Sequence, residues 1–120
     1  MIDFEETEFQ LRTEKVQKHM FEINVDAILL CTEPEVRYFT GFRSLFWQSP
    51  TRPWFVVIPK NGKPIAIIPD IGRDLMARTW IDDIRTWPSP RREDEGISLL
   101  VEVLEGAKNI GILMGEEASL

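Results

Sequence analysis

The period of apolar positions changes several times along the chain, and each change marks an element. Phe9, Val16, Met20 and Ile23 fall on one helical face, and Thr7-Glu-Phe-Gln10 has the form of a capping box. The spacing predicts a helix from about residue 8 to about residue 22, with Asn24 in the left-handed position that closes it. Ala27-Ile-Leu-Leu30 is then apolar on consecutive residues, the pattern of a strand buried on both sheet faces. Thr32 to Gly41 reads as a short helical turn. Thr32 or Glu33 can cap it, Pro34 suits its first positions and Gly41 suits its left-handed end. Tyr38 and Phe39 are expected to fill the core beneath it.

Two β-branched apolar arms come next, Trp54–Pro59 and Pro64–Pro69, joined through Lys60-Asn-Gly-Lys63. Asn-Gly predicts a type I′ hairpin, with the prolines at the strand ends where they cost least. Asp70 can cap a short helix with Ile71, Leu75 and Met76 inward and Trp80 near its end. Asp83–Trp87 reads as a strand ended by Pro88-Ser-Pro90. The charged run Arg91–Glu95 suits a solvated helix entry. Ile97, Leu100, Val101 and Leu104 then form an apolar stripe bounded by Gly106, and Asn109–Met114 is the last strand.

A strand, a hairpin and two further strands reached through helices predict an α/β fold. We expect three α/β/α layers on a mixed five-stranded sheet, a ribonuclease-H-like arrangement. The second strand should run antiparallel to its neighbours because it forms a hairpin with the third. A chain of 120 residues holds one such domain, and residues 1–120 are read as a single unit. The ending Met114-Gly-Glu-Glu-Ala-Ser-Leu120, directly after a core strand, suggests a cut inside a longer protein.

The formal charge of −6 speaks against nucleic acid or an anionic membrane as partner, since both reward clustered positive charge. No apolar run approaches a membrane span. One cysteine excludes an internal disulfide framework, and the start is not signal-like, so the expected location is cytoplasmic. His19 and Cys31 are too few for a self-contained zinc, iron or copper site. We read His19 as a helix-surface imidazole and Cys31 as an inert buried thiol. A nuclease would need clustered carboxylates on the central strands, whose interiors contain none.

The connection from Phe42 to Pro53 is long for a compact domain, and such loops are functional or disordered. Its aromatics and arginines argue against disorder. Arginine offers a planar fork for a carboxylate, and Trp or Phe can wall off small apolar or cationic groups.

Several stretches together carry a family resemblance. They are Asn24-Val-Asp-Ala-Ile-Leu-Leu30, Arg37-Tyr-Phe-Thr-Gly-Phe42, Arg52-Pro-Trp-Phe-Val-Val-Ile-Pro59 and Asn109-Ile-Gly-Ile112. From about residue 8 to residue 115 the chain resembles the N-terminal domain of the creatinase/prolidase (Xaa-Pro peptidase) family, and Tyr38-Phe-Thr-Gly-Phe42 is the most specific element. The resemblance implies a parent hydrolase whose C-terminal pita-bread domain binds a divalent metal pair (Mn, Co or Zn). No metal ligand or catalytic residue is assigned to this chain itself. It implies a homodimer in which this domain covers the partner subunit's active site and helps hold the dimer. Phe42, Arg43, Phe46, Trp47 and Arg52 then become the substrate-pocket candidates, for a small peptide or small zwitterion. Asn24 stands where the family often has glycine. Two alternatives stay open. One is the N-terminal domain of a creatinase-like or ectoine-hydrolase-like enzyme. The other is a freestanding module of the same fold that binds a small molecule or a protein.

Overall fold

In a computed structural model, the described residues are 2–41, 54–87 and 96–113. Among them, helices α1 (Ile2–Glu22), α2 (Glu33–Thr40), α3 (Arg73–Met76) and α4 (Ile97–Leu104) alternate with five strands. The strands are β1 (Ala27–Leu30), β2 (Phe55–Pro59), β3 (Ile65–Pro69), β4 (Asp83–Trp87) and β5 (Ile110–Leu113). They form one sheet in the order β4-β3-β2-β1-β5. Only β2 runs against the rest: it pairs antiparallel with β1 and β3, while β1–β5 and β3–β4 are parallel.

The consecutive apolar runs sort their side chains onto two faces because successive strand residues point to opposite sides. Ile28, Leu30, Val56, Ile58, Ala66 and Ile68 join Met20, Val36, Phe39 and Met76 from the helices above one face. Ala27, Val57, Ile67 and Trp87 join Leu100 below the other, with Leu99, Val103 and Leu104 packed against them. Helices α1, α2 and α3 therefore cover one face and α4 the other. The three-layer mixed α/β expectation holds, and β2 does run antiparallel to both neighbours.

Several local expectations need correction. Helix α1 starts at Ile2, so Thr7 lies inside the helix and caps nothing at its start. Ile23 is 54% exposed, because the helix ends before it and Asn24 turns the chain at φ 61. Thr32 has the backbone of an N-cap, but its hydroxyl makes no capping bond. Pro34 holds the first turn, and Val36 N–H donates to the Thr32 carbonyl at 3.1 Å.

The hairpin is present without its predicted turn. A type I′ turn needs positive φ at both central residues. Here Gly62 has φ 89, and Asn61 is not among the residues with positive φ. Pro64 has no N–H to give to the ladder, so pairing stops at Val57–Ile65 and the connection lengthens. After β3, Asp70–Gly72 forms a 3₁₀ turn that leads into α3, and Ile71 and Leu75 face outward while Met76 is fully buried. Along α4 the buried stripe is Leu99, Leu100, Val103 and Leu104, and Ile97 and Val101 are exposed. The entry run Arg91–Glu95 lies outside the described residues.

Candidate functional site

The candidate stretch follows Gly41 at the end of α2 and leads through Trp54 into β2. Phe42, Arg43, Phe46, Trp47 and Arg52 all lie outside the described residues, in 42–53. Its two roots are described, and both sit in the core cluster beneath α1, α2 and α3.

The first root is the end of α2. A helix leaves its last carbonyls without intrahelical partners, and a buried helix end must find others. Three consecutive carbonyls do so here, each with a different donor. Gly41 N–H donates to Arg37 O at 2.8 Å, closing the helix in the left-handed region at φ 81. The Arg12 guanidinium of α1 donates to Tyr38 O at 2.8 Å. The Trp80 indole Nε1 donates to Phe39 O at 2.8 Å in a buried bond. Thr40, 1% exposed, turns its hydroxyl back onto Val36 O at 2.7 Å.

Arg12 also lies over two rings, 4.4 Å from the Tyr38 centroid and 5.1 Å from that of Phe9, and pairs with Glu8 at 3.4 Å. Phe9 in turn closes over Gly41. A Cβ at that residue would come 2.8 Å from Phe9 Cζ, so glycine serves both the backbone and the contact. Phe39 is buried as expected. Tyr38 is not a core filler: it is 52% exposed, edge-on to Phe39 at 5.0 Å and covered by Arg12. The second root is Trp54, 3% exposed, whose ring packs on Gly72 so closely that a Cβ there would lie 2.3 Å from Trp54 Cη2. Both ends of the loop are thus held by large buried aromatics.

Arg12 and Trp80 were missed as anchors by sequence reasoning. They lie 26 and 41 residues from the carbonyls they satisfy, beyond any local pattern. The one available signal was general, that a buried indole N–H needs an acceptor.

The isolated ionisable groups behave more plainly. His19 is a surface imidazole 3.6 Å from Glu22, as expected. Cys31 is exposed rather than buried, since it follows the last residue of β1; desolvation and then the Glu35 carboxylate push its thiol up. Among the described residues no group of three or more His, Cys, Asp or Glu could hold a metal ion. Nor is any helix among them long and apolar enough to cross a membrane.

At the opposite end of the sheet, Asp26 ties the starts of β1 and β5 together. Its Oδ2 accepts from Lys108 N–H at 2.8 Å and Asn109 N–H at 3.0 Å, and Lys60 Nζ is 3.0 Å from Oδ1. The Asn109 bond, the Lys60 contact and the Lys108 bond hold its carboxyl at about 2. A cavity of about 610 Å³ opens beside it, between the end of α1 and the Lys60–Asn61 turn. Gln17 on its wall is committed to Pro59 O and Gly62 O, each at 2.9 Å.

A mixed five-stranded sheet between helical layers defines the class, an α/β/α domain. The family model for the creatinase/prolidase N-terminal domain matches residues 12–116. The chain belongs to that family.

Three solved structures show the likeness. The creatinase/prolidase N-terminal domain of an X-Pro dipeptidase from Streptococcus pyogenes has TM-score 0.72 and 12% identity, over 88% of this chain and 78% of that one. The N-terminal domain of Xaa-Pro dipeptidase from Lactobacillus brevis has TM-score 0.68 and 16% identity, over 90% and 83%. The prolidase from Pyrococcus horikoshii OT3 has TM-score 0.62 and 19% identity, over 89% of this chain but only 28% of that one. At such identities the likeness is one of fold. Among curated proteins none matches.

Proposed function

We propose that this chain is the non-catalytic N-terminal domain of a metal-dependent Xaa-Pro dipeptidase or aminopeptidase-like hydrolase. In this reading residues 1–120 are one domain of a longer cytoplasmic protein. A C-terminal domain carries the divalent metal pair (Mn, Co or Zn) and the chemistry. The protein is a homodimer, and the loop after Gly41 covers the partner subunit's active site. Phe42, Trp47 and Phe46 wall the pocket, while Arg43 and Arg52 meet the carboxylate of a small peptide or small zwitterion.

The observation that carries the reading is the family match across residues 12–116. The rooted loop supports it. Binding residues sit on loops held by rigid scaffolds, and here three satisfied carbonyls and two buried aromatics fix the loop's ends.

The test is kinetic. In the full enzyme, Arg43→Ala and Trp47→Ala should change KM or kcat for Xaa-Pro substrates by about tenfold or more, the scale of one lost substrate contact. Their melting temperatures should move little. A large drop in melting temperature with unchanged kinetics would assign both residues to the core instead.

A further inference from the structure

The cavity of about 610 Å³ beside Asp26, at the end of the sheet where β1 begins, has the volume of a small-molecule site. Every residue that lines it is a described one. One wall is a flank of α1: Glu14, Gln17, Lys18 and Phe21 recur at spacings of three and four and so share a side of the helix. The turns Asn24–Asp26 and Lys60–Asn61 supply the other walls. Met20, 1% exposed, and the half-buried Val25 make part of the lining apolar.

These walls are fastened to one another. Gln17 Nε2 donates to Pro59 O and Gly62 O, each at 2.9 Å, and ties α1 to the hairpin. Lys60 Nζ, 3.0 Å from Asp26 Oδ1, ties the hairpin to the start of β1. Val25 N–H donates to Met20 O at 2.9 Å and Asn109 Nδ2 to Asn24 O at 3.0 Å, which hold the turn between them. The cavity is therefore formed before any ligand arrives. The groups left unengaged around it are mostly donors. Among the described residues the Lys18 ammonium and the side-chain amides of Asn24 and Asn61 have no hydrogen-bond or ion-pair partner. Lys60 keeps protons beyond the one that meets Asp26. The wall carboxylates are engaged: Asp26 with Lys108 N–H, Asn109 N–H and Lys60, and Glu14 with Gln10, which is not in the lining. Phe21 lines the cavity with its ring uncovered, 87% exposed.

We propose that this cavity binds a small organic acid with an apolar body, its carboxylate against Lys18 and Lys60 and its hydrocarbon part against Phe21, Met20 and Val25. The chemistry follows from the lining. Ammonium and amide donors suit a carboxylate, and charge makes those hydrogen bonds the stronger ones. Covering the Phe21 ring and the aliphatic lining removes apolar surface from water on both partners. A cation of the same shape meets two ammonium groups and finds both wall carboxylates already engaged. The site is separate from the candidate loop: Pro59 pairs with Ala27 beside the cavity, while Trp54 enters β2 at its other end. The inference does not rest on the hydrolase reading.

The test is a titration of residues 1–120 with 3-phenylpropionate, followed through the backbone amide resonances of the labelled chain. Saturable shifts are expected at Lys18, Phe21, Asn24 and Asn61, with a Kd of about 1 mM, the scale set by a ligand of this size. Phenethylamine, a cation with the same aromatic body, should bind about tenfold more weakly or worse. Lys18→Met and Phe21→Ala should each weaken the acid by about tenfold, the scale of one lost charged or aromatic contact, and leave the melting temperature nearly unchanged. Equal binding of the amine, unchanged binding of the acid by the Lys18→Met chain, or shifts that never saturate would each overturn the inference. Shifts confined to the residues after Gly41 would move the acid to the candidate loop and overturn it as well. None of these failures touches the proposed function, which its own kinetic test decides.

Discussion

Gly41 sits where backbone and packing make the same demand. Its φ of 81 places it in the left-handed region, and Phe9 occupies the space a side chain would take. A left-handed alanine costs roughly 1–2 kcal/mol before any contact is counted. Gly41→Ala should therefore destabilise the domain by at least that amount in chemical denaturation, whereas Gly62→Ala, with open space around it, should show the backbone cost alone. Equal losses at the two positions would mean that Phe9 moves aside freely. Asp26 makes its own prediction, in pH. Its carboxyl is held at about 2 against an ordinary 3.8, so the fold favours the ionised form. That contribution is complete above the unfolded value and disappears as pH falls through about 2. The gap in melting temperature between wild type and Asp26→Asn should be constant near neutrality and close between pH 4 and 2. A gap that ignores pH would detach the charge from stability.

At the scale of elements, α4 gives a direct measurement of which face is buried. Leu100 is 8% exposed and Val101 61%. Leu100→Ala should cost on the order of 2–3 kcal/mol, and Val101→Ala under about 0.5 kcal/mol. Comparable costs would restore the stripe expected from spacing. That stripe, Ile97, Leu100, Val101 and Leu104, shows where sequence reading stops. Apolar residues cover so much of α4 that spacing leaves the helix rotation open by one position, and only the sheet below selects it. Strands β1 and β4 were legible to the residue because unbroken or sharply terminated runs define them. The hairpin was legible as a pair of strands but not as a turn, since Pro64 removes the donor a tight turn would use. Tyr38 was misplaced for a similar reason. Its neighbour Phe39 takes the buried position, and an arginine 26 residues away covers the tyrosine from outside.

Over the whole molecule, the fold's layers and the family were both readable from the chain, because motif positions and element order agreed independently. The roots of the candidate loop were half readable: Gly41 announced itself, but Arg12 and Trp80 serve it across the fold and leave no local trace. The loop residues Phe42, Arg43, Phe46, Trp47 and Arg52 rest on resemblance and on the chemistry of their side chains. Residues 1–120 alone should show no Mn- or Co-dependent Xaa-Pro cleavage, and robust cleavage by that chain would place catalysis where this account puts none. The most direct measurement of the central claim is a read of the coding sequence beyond the codon for Leu120. We expect it to continue into a domain with the Asp, His and Glu ligands of a metal pair. A stop codon close after Leu120 would contradict the account and leave a freestanding domain whose loop binds something else.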